Sequence, residues 1–476
     1  MVRIFSVFFI LLTCYPLWSA PKKRFIIKYK KGVLKTTSRN ANRVLIKGLK
    51  ERSLEELKKD QSIEYIEEDI ILKAYRIPGD TEGVTDKYYS KQWHYRTAPG
   101  AANLEAAWDI TIGSDETIIA VLDTGILPHI DLEGRILPGQ DMISDLFIAN
   151  DGDGRDSDAT DPGDFVTQDD RCGFSSSSSW HGTHVAGTIG ANTANETGVA
   201  GVMWSSKILP VRVLGKCGGY TSDIADGIRW ASGLEVEGLP INPNPAKVIN
   251  LSLGGRGECG RYIQDAIDSA TENGSLIVVA AGNSNQNMDE VSFSPANCKN
   301  VLTVGAANYD GNRAGYSNYG QRIDILAPGG ENDYRILSTS NSGTTTAQDD
   351  AYTFQMGTSM ATPHVAGVAG LVIAFNQTLS PQQVKEALIN NSREFDSKSS
   401  CYQSNKCGSG LLDAYKVLSS LDREDPPEID PIEPAPEEPT PPSDDGHCGE
   451  TTEEDQASSF FISFILGILG FYFKRE

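Results

Sequence analysis

The sequence predicts an α/β fold in which a mostly parallel central sheet carries helices on both faces, preceded by a small α+β unit. Three observations predict it. Between about residues 85 and 420, short apolar runs suited to buried strands alternate with stretches of helical spacing. The segment ahead of that region is basic and poor in glycine, with its own short strand patterns. One helix announces its start in full: in Ser380-Pro381-Gln382-Gln383 serine suits the cap, proline the first turn and Gln383 the reciprocal cap bond.

Taken in chain order, residues 1–20 read as an export signal. Arg3 gives a positive start, residues 5–12 an apolar stretch too short for a membrane anchor, and Ser19-Ala20 a small-residue exit. In residues 21–76, 25–27 and 63–71 are strand candidates, and 45–57 has helical apolar spacing. In residues 85–420, the buried-strand candidates are 117–122, 207–214, 248–253 and 275–281. Residues 222–234 and 262–271 read as helices. In open sheets of this kind, sites collect outside the carboxyl ends of the strands. Residues 422–456 are a run of Pro, Glu and Asp, which reads as a solvated, extended linker. Residues 457–476 hold an apolar stretch closed by Lys474-Arg475. That pattern fits a C-terminal membrane or sorting segment with its basic end in the cytoplasm.

The formal net charge of −22 argues against nucleic acid as a partner, because phosphate contacts need clustered Lys and Arg. Export places the cysteines in an oxidising compartment. Cys14 falls in the signal. Cys172, Cys217, Cys259, Cys298, Cys401 and Cys407 are enough for three bridges, of which Cys401 with Cys407 is the easiest local pair. The remaining pairing is open, and Cys448 is left over in the tail.

Three short blocks carry the chemistry. Asp123-Thr124-Gly125 follows an apolar strand, where an aspartate can be buried and still accept hydrogen bonds. Alone, the tripeptide is equally at home in a turn. His181-Gly182-Thr183-His184 has the small residues that let a helix pack closely while an imidazole faces a cleft. No glutamate sits between the two histidines as a zinc protease would need, and His184 suits an internal structural role. Gly357-Thr358-Ser359-Met360-Ala361-Thr362-Pro363-His364 opens a long apolar helix. It puts Ser359 where unpaired N–H groups and the helix dipole favour negative charge.

The blocks occur in the order Asp, His, Ser. In these blocks and their order, residues 85–420 resemble the subtilisin-like serine proteases, or subtilases. The resemblance implies a subtilisin-like sheet and a secreted serine endopeptidase acting on protein or peptide substrates through an acyl-enzyme. Asp123, His181 and Ser359 would be its triad and Asn283, in Ala280-Ala281-Gly282-Asn283, its oxyanion donor. Ser252, Leu253, Gly254 and Gly255, with Ala280 and Gly282, would bind substrate backbone and wall the pocket for the residue before the scissile bond. Residues 21–76 resemble the inhibitory propeptide of this family, with 63–69 as the best local match. Removal is expected between Tyr75 and Thr85. A catalytically silent surface binding protein on the same scaffold is the alternative; it predicts a broken triad or oxyanion residue, and all four are present.

Between the first two blocks lies an acidic insertion with Asp151, Asp153, Asp156, Asp158, Asp161 and Asp164. Carboxylates this dense repel unless solvated or bound to a hard cation, and calcium is the expected structural ligand. The spacing excludes an EF-hand. Asp131 resembles a further family calcium ligand, with its spacing one residue short.

Overall fold

The computed structural model describes residues 24–30, 43–47, 57–68, 71–74, 88–96, 98–170 and 172–421. The export signal, the removal interval, the acidic linker and the C-terminal apolar segment lie outside the described residues. The chain divides into two units, 1–424 and 425–476, and everything below concerns the first.

The N-terminal part forms a three-stranded antiparallel sheet of β1 (Arg24–Tyr29), β2 (Arg43–Lys47) and β3 (Ile63–Glu68), with β1 in the middle. This corrects the helical reading of residues 45–57 at its start. Residues 45–47 pair with β1, because the apolar spacing there serves a strand facing Ile26 and Phe25. The expected single strand over 63–71 is also two. Ile63–Glu68 form β3, while β4 (Ile71–Ala74) joins a different sheet.

The following strands are β5 (Gly113–Asp123), β6 (Gln140–Asp141), β7 (Ser205–Arg212), β8 (Gly219–Tyr220), β9 (Val248–Leu251), β10 (Leu253–Arg256), β11 (Leu276–Ala280), β12 (Phe293–Ser294), β13 (Val301–Ala307) and β14 (Ile325–Pro328). Seven of them form one parallel sheet in the order β14-β13-β11-β9-β5-β7-β6. A hairpin of β15 (Ile336–Asn341) and β16 (Asp350–Gln355) stands apart from it.

Residue alternation explains the unbroken apolar run 118–122 of β5. Ile119 and Val121 of β5 face one core with Val185 and Ile189 of the helix His181–Gly190 and Val365, Val368 and Val372 of the helix Thr358–Phe375. Ala120 and Leu122 face the other core with Ile224 and Ile228 of the helix Thr221–Ala231 and Ile263 and Ile267 of the helix Arg261–Glu272. Both faces are covered, so no position along the strand can be polar without cost. Each large aliphatic side chain so buried contributes roughly 1.5–3 kcal/mol.

The expected strand over 248–253 is interrupted at Ser252. β9 stays in the parallel sheet, while β10 turns out to form a four-stranded antiparallel sheet in the order β12-β10-β4-β8. The N-terminal segment therefore reaches into the body of the fold. β4 lies between β10 and β8, with Ala74 opposite Leu253, Lys73 opposite Gly254, Leu72 opposite Gly219 and Ile71 opposite Tyr220.

Three disulfides join Cys172 to Cys217, Cys259 to Cys298 and Cys401 to Cys407. The local pair read from sequence is among them. The capping box at Ser380 is also formed: Ser380 Oγ accepts from Gln383 N, and Gln383 Oε1 accepts from Ser380 N.

Candidate active site

Asp123 is the last residue of β5 and is fully buried. Its Oδ1 accepts from Thr124 N at 2.8 Å and lies 2.7 Å from His181 Nδ1. The carboxylate is acceptor-only when ionised, so the proton of the imidazole sits on Nδ1. His181 is the first residue of its helix and is also buried. Its Nε2 has no hydrogen-bond partner among the described residues, which leaves that lone pair available to accept a proton.

The sequence holds these two residues together through their neighbours. Gly182 N donates to Thr124 Oγ1 at 3.1 Å, and Thr124 Oγ1 donates to Asp161 Oδ2 at 2.7 Å. A Cβ on Gly182 would lie 2.2 Å from the Gly125 carbonyl oxygen, so only glycine lets the helix approach the Asp123 turn. Trp180, just before His181, has φ of 49°, which is uncommon for a side chain of this size. Its indole Nε1 donates to Gly343 O at 2.6 Å and anchors that conformation.

Ser359 lies in the first turn of the helix Thr358–Phe375, after Gly357 at φ 153°. Its Oγ donates to Ser252 O at 2.9 Å, and Ser252 Oγ donates to Ser359 O at 2.9 Å. The second bond has a covalent origin. Pro363, four residues on, has no N–H to give to the Ser359 carbonyl, and Ser252 supplies the donor instead. Asn250 Nδ2 in turn donates to Ser252 Oγ at 2.9 Å.

Asn283 follows β11. Its Oδ1 accepts from both Thr358 N and Thr358 Oγ1, each at 2.9 Å. Those two donors fix which end of the amide is oxygen. Nδ2 is left without a protein partner among the described residues. An unspent donor beside a serine at a helix N-terminus can stabilise an oxyanion. Thr358 was not singled out in the sequence, although it sits inside the Gly-Thr-Ser block. Thr358 Oγ1 also accepts from Gly282 N at 3.1 Å, so one hydroxyl ties Ala280-Ala281-Gly282-Asn283 to the Ser359 helix.

Of the remaining expected substrate residues, Leu253 and Gly254 pair with β4, and Gly255 pairs with Ser294 of β12. Ala280 ends β11, fully buried. His184 is not near this constellation in role: its Nε2 lies 3.1 Å from the carbonyls of Ile336 and Thr353. His364 is likewise internal, with Nδ1 2.7 Å from Met360 O and Nε2 2.8 Å from Nδ1 of His94. Burial pushes the His364 pKa down to about 4. Burial, with His364 and His184 nearby, takes His94 well below the ordinary histidine value.

The six aspartates of the acidic insertion do not share one centre. Asp151 and Asp141 form ion pairs with the buried Arg212, whose guanidinium also donates to Ala149 O. Asp156 and Asp158 accept turn N–H groups from Asp158 and Thr160. The Asp153 N–H donates to Asp151. Asp161 takes Thr124 and Gly163 N, and Asp164 takes Ser179 N and Oγ. Burial, with Asp164 beside it, raises the Asp161 pKa. Asp131 accepts from Asn195 Nδ2 and Val199 N. Among the described residues no group of three or more His, Cys, Asp or Glu is arranged to hold a metal. In this arrangement local N–H and hydroxyl donors and Arg212 take oxygens of Asp151, Asp156, Asp158, Asp161 and Asp164, and no chemistry is routed through calcium.

Comparison with known proteins places the chain. Residues 114–410 match the model of the subtilase family. The chain is 47% identical over 384 residues to an extracellular protease of Xanthomonas campestris pv. campestris, covering 80% of this chain and 63% of that one. It is 42% identical over 369 residues to an extracellular basic protease of Dichelobacter nodosus, covering 75% and 58%. It thus spans about three fifths of the length of these two relatives. A solved structure of a protease from Pseudoalteromonas arctica matches with a TM-score of 0.67 at 49% identity, over 71% of this chain and 99% of the other. The chain belongs to the subtilase family.

Proposed function

We propose that this protein is a secreted serine endopeptidase, made as a self-inhibited precursor. The observations that carry the reading are two contacts, each between residues far apart in sequence. Asp123 and His181 share a 2.7 Å hydrogen bond, and Asn283 Oδ1 accepts from Thr358, the residue before Ser359, which leaves Nδ2 unspent. In this reading His181 Nε2 takes the Ser359 hydroxyl proton as Oγ attacks a peptide carbonyl. Asp123 holds the Nδ1–H tautomer and stabilises the imidazolium. Asn283 Nδ2 and the Ser359 N–H stabilise the oxyanion. His181 then protonates the leaving amine, and water repeats the sequence on the acyl-enzyme. Export agrees with the names of the two extracellular relatives.

Self-inhibition rests on β4. It occupies the edge expected to pair with substrate, and its Ala74 end lies opposite Leu253, next to Ser252, which is bonded to Ser359. The preceding sheet docks on the helix Arg261–Glu272. That helix has no side-chain cap of its own, and Glu67 accepts from Arg261 N and Tyr262 N. A carboxylate there satisfies unpaired donors and faces the positive helix end. Tyr65 Oη donates to Asp265 at 3.1 Å, and the Arg261 guanidinium lies 4.3 Å from the Tyr65 ring centroid. In this reading calcium binds at the acidic insertion, and the C-terminal apolar segment holds the chain at a membrane. A calcium-dependent rise in unfolding temperature that EDTA reverses would support the first.

Intact-mass analysis of the secreted wild-type chain and of Ser359→Ala tests the central reading. The wild type is expected to lose its N-terminal segment and to cleave casein, and the variant to do neither. Normal loss of the segment from Ser359→Ala in a protease-free host would show that Ser359 does not perform the processing.

A further inference from the structure

At the end of β4 away from Ser359, Ile71 pairs with Tyr220 of β8. There Arg24, at the start of β1, reaches the body of the enzyme. The Arg24 guanidinium carbon lies 4.3 Å from the Tyr220 ring centroid. Its Nη2 donates to Ser222 Oγ at 2.8 Å and lies 3.7 Å from Asp223 Oδ1. Arg24 is only 8% exposed. The corner it enters is held firmly. Asp223 Oδ2 accepts from Ser144 N and Oγ, both at 3.1 Å, and Asp223 Oδ1 accepts from Arg155 at 2.6 Å. Arg155 also bridges to Asp226, and Tyr262 Oη donates to Asp226 at 2.6 Å. A ring face, a hydroxyl and a fixed carboxylate edge together suit a planar guanidinium better than an ammonium.

We propose that Tyr220, Ser222 and Asp223 form an arginine site at the upstream end of the substrate cleft. Arg24 fills it in the precursor. In the processed enzyme it takes an arginine that lies one or two residues upstream of the substrate position paired with Tyr220. The inference rests on the reading of β4 as a substrate-like strand. Its preferred substrates are extended peptides with arginine well to the N-terminal side of the scissile bond. Because Arg155 and Arg229 already offset Asp223 and Asp226, the gain comes mainly from the ring face and the Ser222 hydroxyl.

The test uses peptides spanning residues 69–78 of this chain, with arginine or its neutral isostere citrulline in place of Asp69 or Ile70. The processed wild-type enzyme is expected to favour arginine by about 3- to 10-fold in kcat/KM, and Tyr220→Ala to bring the ratio near one. A ratio near one in the wild type overturns the proposal while leaving the peptidase reading intact. A second measurement reads the site without catalysis. In the full chain carrying Arg24→Ala and Ser359→Ala, N-acetylarginine methylamide is expected to raise the unfolding temperature more than the citrulline amide does. Adding Tyr220→Ala should remove that difference. Equal shifts from the two amides overturn the site. Failure to cleave any peptide counts against the peptidase reading, and the amide comparison still decides the site.

Discussion

Asp123 and the acidic insertion use the same side chain in opposite ways. Asp123 stands alone at the end of an apolar strand, fully buried, with one oxygen turned to His181. The aspartates of residues 151–164 crowd together in sequence, yet the fold disperses them. Of the six, Asp151 goes to Arg212, Asp156 and Asp158 to turn N–H groups, Asp161 beneath Thr124 and Asp164 to Ser179, while the Asp153 N–H donates to Asp151. Density of charge along the chain is therefore a poor guide to chemistry. What matters is how few partners a carboxylate is given, and which ones. Asp161 joins the two regions, because its bond to Thr124 supports the turn that carries Asp123.

The contrast can be broken most directly at Asp123. In Asp123→Asn the amide can present a donor to Nδ1 and favour the wrong tautomer. Turnover on a peptide substrate is expected to fall about 10⁴-fold, the size measured for this change in another triad enzyme, with little change in unfolding temperature. A fall of less than tenfold would mean that Asp123 does not orient His181.

Arg212→Met should do the reverse, harming the fold rather than the chemistry. It strands the Asp141 carboxylate in a buried site, where burial already raises its pKa to about 7 against the pull of Arg212. Breaking one side of such a buried pair costs about 3–5 kcal/mol, read by denaturant unfolding in a Ser359→Ala background. Unchanged stability would show that Arg212 does not organise this loop.

Asn283→Ala is next in size. Turnover should drop about 10²–10³-fold, as for the equivalent donor in subtilisin, with KM nearly unchanged, because the bond forms only as the oxyanion develops. A large rise in KM with turnover intact would assign Nδ2 to substrate binding instead.

A smaller effect concerns His94 and His364, which are buried like His181 but have no carboxylate partner among the described residues. Their folded-state pKa values lie below the ordinary histidine value. Between the unfolded value, about 6.5, and the folded one, only the unfolded chain binds the protons. The pair therefore contributes stability above about pH 6.5 that is lost as pH falls toward the His364 value of about 4. Imidazole proton resonances of both residues should not titrate between pH 8 and pH 5.5. A midpoint near 6.5 for either would refute the assignment. Smallest of all, Asp156→Asn with Asp158→Asn should leave activity unchanged, since both carboxylates meet only local turn N–H groups.

Much of this could be read from the chain because local rules decided it. The uninterrupted apolar run before Asp123 needs cover on both faces, and that alone implies a parallel sheet with helices on each side. The proline four residues after Ser359 acts through a missing N–H, which no distant contact can change. Where reading failed, the deciding partner was remote. Residues 45–47 suit a helix by spacing and became strand through pairing with β1. The strand expected over 248–253 breaks at Ser252 because that residue is bonded to Ser359, far along the chain.

The sequence by itself determined the sheet covered on both faces, the order of Asp123, His181 and Ser359, and the short blocks that carry them, because hydrophobic periodicity and turn chemistry act within a few residues. Tertiary structure alone decided that Asn283 spends its amide oxygen on Thr358 and keeps its Nδ2 donor, that β4 lies between β10 and β8, and that the acidic insertion serves Arg212 and Thr124. Those outcomes depend on hydrogen bonds and ion pairs between residues tens to hundreds of positions apart, and their energies exist only once the apolar cores have brought the partners together.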